Sequence, residues 1–209
     1  NNPFDPRLLA FAKELLAADI VHCHQYRYLI INVAIAMSAV FGKKVVVTDH
    51  AGFGSNYVDH IPLHTLVDRF LAVSRFSLGS LPPKTNSEVI YAGVGENFIE
   101  RSVPAQKKQN VLFVGRIMPH KGINYLIEAL REDMCLDVVG RVYDEEYFVL
   151  LKDLARNKRV TFILDADDEA LARKYEDALV TVLPSVYEDV YGRKHRLPEL
   201  LGLSLLESM

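Results

Sequence analysis

The sequence predicts an α/β fold made of two Rossmann-like halves, each a parallel sheet covered by helices. Three observations carry this. Short β-branched runs alternate with amphipathic segments along all 209 residues, the order that doubly wound folds require. Several runs, such as Val45-Val46-Val47 and Val111-Leu112-Phe113-Val114, are continuously apolar rather than alternating, as strands buried on both faces are. The composition breaks once, at residues 100–109, where Arg101-Ser102-Val103-Pro104 and the polar residues up to Gln109 have no period and read as a linker.

Taken in order, the expected strands are 20–24, 44–48, 70–74, 88–91, 110–114, 136–139, 160–164 and 180–183. Asp5-Pro6 has the chemistry of a helix start, and Leu8, Leu9, Ala12, Leu15 and Leu16 make its apolar side. The apolar stretch from Leu29 to Phe41 is too short for a bilayer span of about 20 residues and reads as a buried helix. A helix is expected from Ile123, another over 144–157 with Tyr147, Phe148, Leu151 and Leu154 on one stripe, and a shorter one over 168–175. The expected domains are 1–103 and 104–209.

Composition removes several classes. Half the residues are hydrophobic, and 27 acidic against 24 basic residues leave a net charge of −3. That balance gives no electrostatic footprint for nucleic acid. Cys23 and Cys135 are too few for a disulfide scaffold and are expected as buried thiols in a cytoplasmic protein. The first residues lack a basic segment followed by an apolar run, so no signal peptide is expected.

The strongest chemical signal follows the first strand of the second half: Gly115-Arg116-Ile117-Met118-Pro119-His120-Lys121-Gly122. Arg116 and Lys121 fall in a strand-to-helix loop at the carboxyl edge of a parallel sheet, where open α/β folds bind ligands. Two cations beside a helix N-terminus suit a diphosphate, although either residue alone is equally readable as a solvated loop charge. The second signal is Pro198-Glu199-Leu200-Leu201-Gly202-Leu203-Ser204-Leu205-Leu206-Glu207. With a helix starting near Gly202, Glu199 lies in the preceding loop and Glu207 about a turn and a half inside it. Carboxylates at two depths suit two sets of sugar hydroxyls. Each glutamate alone also reads as part of a solvated helix face.

In this order, Gly-Arg-x-x-x-x-Lys-Gly, Leu183-Pro184-Ser185 and the Glu199–Glu207 pair resemble the retaining glycosyltransferases of the GT4 family, which have the GT-B fold. Upstream, Asp19-Ile20-Val21-His22-Cys23-His24 resembles that family's strand ending in His-x-His. Val46-Val47-Thr48-Asp49-His50-Ala51-Gly52 resembles its Thr-x-His-Gly segment, and Ala72-Val73-Ser74 and Val89–Val94 match later strands. The resemblance covers nearly the whole chain, with both domains shortened at their outer ends and facing each other across a cleft. It implies a transferase that moves a sugar from a nucleotide-diphosphate sugar to a carbohydrate, lipid or small-molecule acceptor, with no metal and no other cofactor. It implies contact with a membrane surface at most, such as the inner membrane, and no transmembrane segment.

By the same resemblance, Arg116 and Lys121 would bind the donor diphosphate, joined by the backbone at Gly202 and Leu203. Glu207 would hold the ribose, while Glu199 and, from the first domain, His50 would be the catalytic groups at the donor sugar. The family pattern runs from Pro-Ser-x-x-Glu almost directly into the second glutamate. Here Glu188 occupies the first glutamate's usual place, and Asp189 to Arg196 follow, including a basic insert, Arg193-Lys194-His195-Arg196. Glu188 is therefore a rival, and Glu199 is preferred for its eight-residue spacing to Glu207. The insert reads as a solvated charge run, and Ala92-Gly93-Val94-Gly95 departs from the family's usual Asn-Gly-Val-Asp.

Other motifs fail on chemistry. Gly93-Val94-Gly95 lacks the third glycine of a dinucleotide fingerprint. Cys23 alternates with His22 and His24, so the three cannot converge on one metal from a single strand. Two further functions remain open: a nucleotide-sugar epimerase, which can share the two-domain architecture, and a fragment that binds nucleotide without turnover.

Overall fold

The structure is a computed structural model that describes residues 12–26, 28–50, 62–82, 85–98 and 110–209. Contacts divide the chain into two compact units, Asn1–Ala92 and Gly93–Met209. The division falls upstream of the expected boundary at residue 103. The residues 100–109 expected as a linker lie outside the described residues, as does most of the helix expected from Asp5.

The first unit runs α1 (Ala12–Ala17), β1 (Ile20–His24), α2 (Leu29–Val40), β2 (Lys44–Asp49), β3 (Arg69–Ala72), α3 (Arg75–Leu78) and β4 (Ser87–Val89). Its four strands are all parallel, in the order β1-β2-β3-β4. Ile35, Val45, Val47 and Phe70 are fully buried at its centre. The polar residues in the apolar α2 are used locally. Asn32 donates to the carbonyls of Tyr26 and Tyr28, both at 2.9 Å, and Ser38 donates to Ala34 O at 2.7 Å. Such bonds offset the cost of burying the Asn32 nitrogen and the Ser38 hydroxyl. At α3, the Ser74 hydroxyl accepts from the Ser77 N–H and the Ser77 hydroxyl accepts from the Ser74 N–H, each at 2.9 Å, forming a capping box.

The second unit runs β5 (Asn110–Val114), α4 (Ile123–Ala129), β6 (Cys135–Val139), α5 (Glu145–Leu154), β7 (Val160–Ile163), α6 (Asp168–Asp177), β8 (Ala178–Thr181) and α7 (Leu203–Glu207). The parallel order is β7-β6-β5-β8. The chain thus adds strands on one side of β5 and then crosses to the other, which makes the carboxyl end of β5 a topological switch point. Phe113, Ile123, Ile127, Leu136, Val138 and Leu151 fill the core between sheet and helices. Tyr147 ties α5 to α4, donating to Asn124 Oδ1 at 2.8 Å and accepting from the Asn124 N–H at 3.1 Å. Burial pushes its phenol far above the ordinary range.

All eight expected strands are present, two with the expected bounds (20–24 and 110–114) and the others with ends displaced by at most two residues. β8, expected over 180–183, lies at Ala178–Thr181, and its register against β5 shifts between Asn110 and Val111. The pairing still reaches Val182, whose N–H bonds Leu112 O at 2.8 Å. The buried-thiol reading holds for Cys23 but not for Cys135, which sits half-buried at the first position of β6. Neither is in a disulfide. Among the described residues, no helix is long and apolar enough to cross a membrane.

Two glycines let the loops after β5 and β6 cross. Gly140 has φ +148°, and a Cβ there would stand 1.9 Å from Gly115 O. Both the dihedral and the contact exclude a side chain. Gly140→Ala is expected to destabilise the second unit by about 2–4 kcal/mol, measured as a lowered urea midpoint. An unchanged midpoint would show that the crossing can relax.

Candidate functional site

The switch point at the end of β5 organises the candidate site. After Val114 the chain remains paired to the loop after β6: Gly115 N–H bonds Val139 O at 3.0 Å, and Ile117 N–H bonds Arg141 O at 2.9 Å. Arg116 projects from this paired segment, exposed, with its guanidinium 5.7 Å from the centroid of the Tyr143 ring. A cleft of about 460 Å³ opens there, lined by Gly115, Arg116, Gly140, Tyr143, Asp165 and Leu171 among others. Sequence reasoning did not find the β6 and β7 side of this cleft. The only available signal was the position of Gly140 and Asp165 just past two strand ends.

Residues Pro119–Lys121 form a 3₁₀ turn that ends at Gly122, which has φ +67°. A Cβ on Gly122 would lie 2.2 Å from Pro184 O, so the turn rests directly on the chain leaving β8. Val186 N–H bonds His120 O at 2.9 Å and fixes the same contact. The turn buries Lys121, and its ammonium donates to Glu199 Oε2 at 2.7 Å, with side chains 10% and 32% exposed. Glu199 Oε1 accepts from the N–H groups of Leu200 at 3.2 Å and Gly202 at 3.3 Å, and Ser185 Oγ lies 3.5 Å from Oε2. Burial raises the Glu199 carboxyl pKa, but the Lys121 ammonium and the two N–H groups outweigh it and hold it below the usual range.

The structure therefore brings Lys121 together with Glu199, while Glu188 stands exposed in the hairpin that follows β8. Gly202, at φ +75°, starts α7, and its N–H is directed at Glu199. Leu203 is the first helical residue. Glu207, at the far end of α7, accepts from the Tyr175 hydroxyl at 2.7 Å. Burial and this carboxylate push the Tyr175 phenol far up. Phe98 packs edge-on against Tyr175 with ring centroids 5.7 Å apart.

The insert is not a solvated charge run throughout. Arg193, Lys194 and Arg196 are exposed, but His195 turns back into the hairpin. Its Nε2 is 2.8 Å from Asp189 Oδ2, on a side chain only 1% exposed. Asp189 Oδ1 accepts from the N–H groups of Tyr191 at 2.9 Å and Arg193 at 3.1 Å. The reason is local: a buried carboxylate needs donors, and the hairpin supplies three. The His195 ring lies 4.9 Å from that of His120, centroid to centroid. Burial, with the Lys121, His195 and Arg116 charges, holds His120 down at about 4, so it is neutral at pH 7.

His50 lies in the first unit, just past β2, with Nε2 2.9 Å from His24 Nδ1 and the two rings stacked. Its N–H donates to Gln25 Oε1 at 3.2 Å. Partial desolvation and the His24 charge lower its pKa. His22 Nε2 is 2.8 Å from Thr48 Oγ1. Cys23 is buried on the opposite face, as the alternation predicts. Among the described residues, no group of three or more His, Cys, Asp or Glu side chains is arranged to hold a metal ion. Gly52 lies outside the described residues.

Two separate parallel sheets with helical cover, one carrying a cationic loop at its switch point, define an α/β protein of the GT-B class. Residues 95–209 match the family described as glycosyl transferases group 1, and the chain belongs to that family. An uncharacterized glycosyltransferase of Methanocaldococcus jannaschii is 32% identical over 126 residues, which is 51% of this chain and 32% of that protein. Among solved structures, the lipopolysaccharide outer core galactosyltransferase WaaB in its apo form superposes with a TM-score of 0.61 at 19% identity. That match covers 97% of this chain and 57% of WaaB. AviGT4, a glycosyltransferase involved in avilamycin A biosynthesis, gives 0.61 at 18% identity over 96% of this chain and 56% of its own. The chain thus spans about a third of the curated relative and somewhat over half of these structures.

The depressed Glu199 carboxyl has a pH signature. A group whose pKa is lower folded than unfolded stabilises above its unfolded pKa and loses that contribution as pH falls through its folded pKa. Glu199→Gln is therefore expected to cost about 1–3 kcal/mol at pH 7, with the difference from wild type closing in strong acid. Urea titrations at both pH values check this. A difference independent of pH would mean that the ion pair is not its origin.

Proposed function

We propose that this chain is the core of a retaining, metal-independent glycosyltransferase of GT4 type, using a nucleotide-diphosphate sugar as donor. The observation that carries the reading is the Lys121–Glu199 ion pair beside Arg116 at the switch point of the second sheet, in a chain belonging to a glycosyltransferase family.

The chemistry follows from what charges do in a partly enclosed site. Breaking the bond between sugar and diphosphate places negative charge on the leaving phosphate. Cations at Arg116 and Lys121 meet that charge, which is the role a metal ion would otherwise fill. Glu199 orients the Lys121 ammonium, and a donor-sugar hydroxyl would reach it in place of the long Ser185 contact at 3.5 Å. Glu207 is held by Tyr175 through one oxygen, leaving acceptor capacity for ribose hydroxyls. The cleft beside Arg116 and Tyr143 suits the nucleoside. The Gly202 amide already serves Glu199, so its part in phosphate binding is through the geometry of the α7 start, with Leu203 next to it. His50, tied to His24, is the first unit's candidate for the donor sugar. The acceptor is a carbohydrate, lipid or small molecule, reached in the cytoplasm or at a membrane surface. The unpaired thiols of Cys23 and Cys135 favour a reducing compartment.

Arg116→Ala and Lys121→Ala are each expected to weaken nucleotide-sugar binding by about 1.5–3 kcal/mol, the scale of charge-assisted hydrogen bonds, measured by calorimetry. Unchanged affinity in both variants would remove the phosphate assignment. Incubation with donor alone is expected to leave the sugar's configuration intact, and an epimerised sugar would favour the epimerase instead.

A further inference from the structure

The cations already described do not balance a diphosphate. Arg116 and Lys121 supply two positive charges and Glu199, bonded to Lys121 at 2.7 Å, removes one. The diphosphate of a nucleotide sugar carries two negative charges. One positive charge is missing, and two imidazoles stand next to the same turn. His120 immediately precedes Lys121, and its ring lies against His195. The Asp189 carboxylate, fixed by two backbone N–H groups, faces His195 Nε2 at 2.8 Å. Asp189 is thus built to hold a proton on Nε2 and to stabilise an imidazolium. The groups facing this pair are Arg116 and Lys121 from the loop after β5, Asp189 from the hairpin and Glu199 ahead of α7.

We propose that His120 and His195, backed by Asp189, are a proton-accepting extension of the anion site, so that donor binding is accompanied by uptake of a proton onto the imidazole pair. The balance is simple: one proton leaves solvent, one imidazole nitrogen gains an N–H bond, and no other bond changes. In the free site burial of the His120 ring and repulsion by Lys121, His195 and Arg116 disfavour that proton, and a bound dianion offsets the repulsive part. The low pKa of His120 in the free protein agrees with this. The hairpin that supplies Asp189 and His195 would then be a donor-binding element rather than surface decoration. This inference rests on the donor-site reading above.

The test is isothermal titration of UDP-glucose, GDP-mannose and ADP-glucose into the protein at pH 7, in buffers of different ionisation enthalpy. These donors have no phosphate group that titrates near neutrality. The expected result is uptake of about 0.5–1 proton per donor bound, with affinity rising about three- to tenfold for each unit that pH falls toward 6. The His120→Gln/His195→Gln double variant should bind more weakly at pH 6 and take up no proton. In the wild type, imidazole NMR signals of His120 and His195 should titrate at higher pH with donor present, a readout that does not depend on any variant folding. Donor binding that is weakened by Lys121→Ala yet involves no proton uptake would overturn this inference alone. So would uptake that persists in the double variant, since the proton would then go to a group other than the imidazole pair. Failure of all three donors to bind would remove the donor-site reading and this inference together.

Discussion

The second unit depends on one ion pair. Lys121 and Glu199 are 78 residues apart in sequence, yet their bond joins the turn after β5 to the segment that starts α7. A buried ammonium without its carboxylate would be costly, so the pair obliges the chain leaving β8 to return over the carboxyl end of β5. The close packing of Gly122 on Pro184 and the Val186–His120 hydrogen bond are further consequences of that return. The resulting geometry places a cation, a carboxylate and a helix start within one small region. A charged ligand would compete with Glu199 for the Lys121 ammonium, which makes the pair both a structural bond and a reactive one.

Topology explains why this region is where it is. β5 has β6 on one side and β8 on the other, so the loops leaving it diverge and open a crevice at its end. Glycines at 122 and 140 let the loops there approach more closely than side chains would permit. Removing that freedom should cost stability and binding together. The first unit has the same parallel layering, with His22, His24 and His50 gathered near the ends of β1 and β2.

Much of this was legible in the sequence, for physical reasons. Strands covered on both faces must be continuously apolar, so 45–47 and 111–114 could be recognised without any partner being known. Arg116, Lys121, Glu199 and Glu207 could be singled out as candidates because motif spacing fixes them relative to a strand end or a helix start. What escaped were side chains whose meaning lies in a partner far along the chain. His195 read as one charge in a basic run, and only the fold reveals Asp189 beneath it and His120 beside it. Lys158, which donates to the carbonyls of Ile127 and Glu128 at 2.6 Å and so caps α4 from 30 residues away, had no local signature. Nor did the Tyr175–Glu207 bond, because a tyrosine on a short amphipathic helix is ordinarily a packing residue.

The central claim is that the Arg116–Lys121 loop and the start of α7 hold the diphosphate of a nucleotide sugar. A crystal structure of the protein with a bound nucleotide sugar tests this most directly. The account predicts phosphate oxygens within hydrogen-bonding distance of the Arg116 guanidinium and Lys121 Nζ, with the nucleoside in the cleft beside Tyr143. A nucleotide sugar bound elsewhere on the molecule, with the Lys121–Glu199 pair untouched by phosphate or sugar, would contradict it.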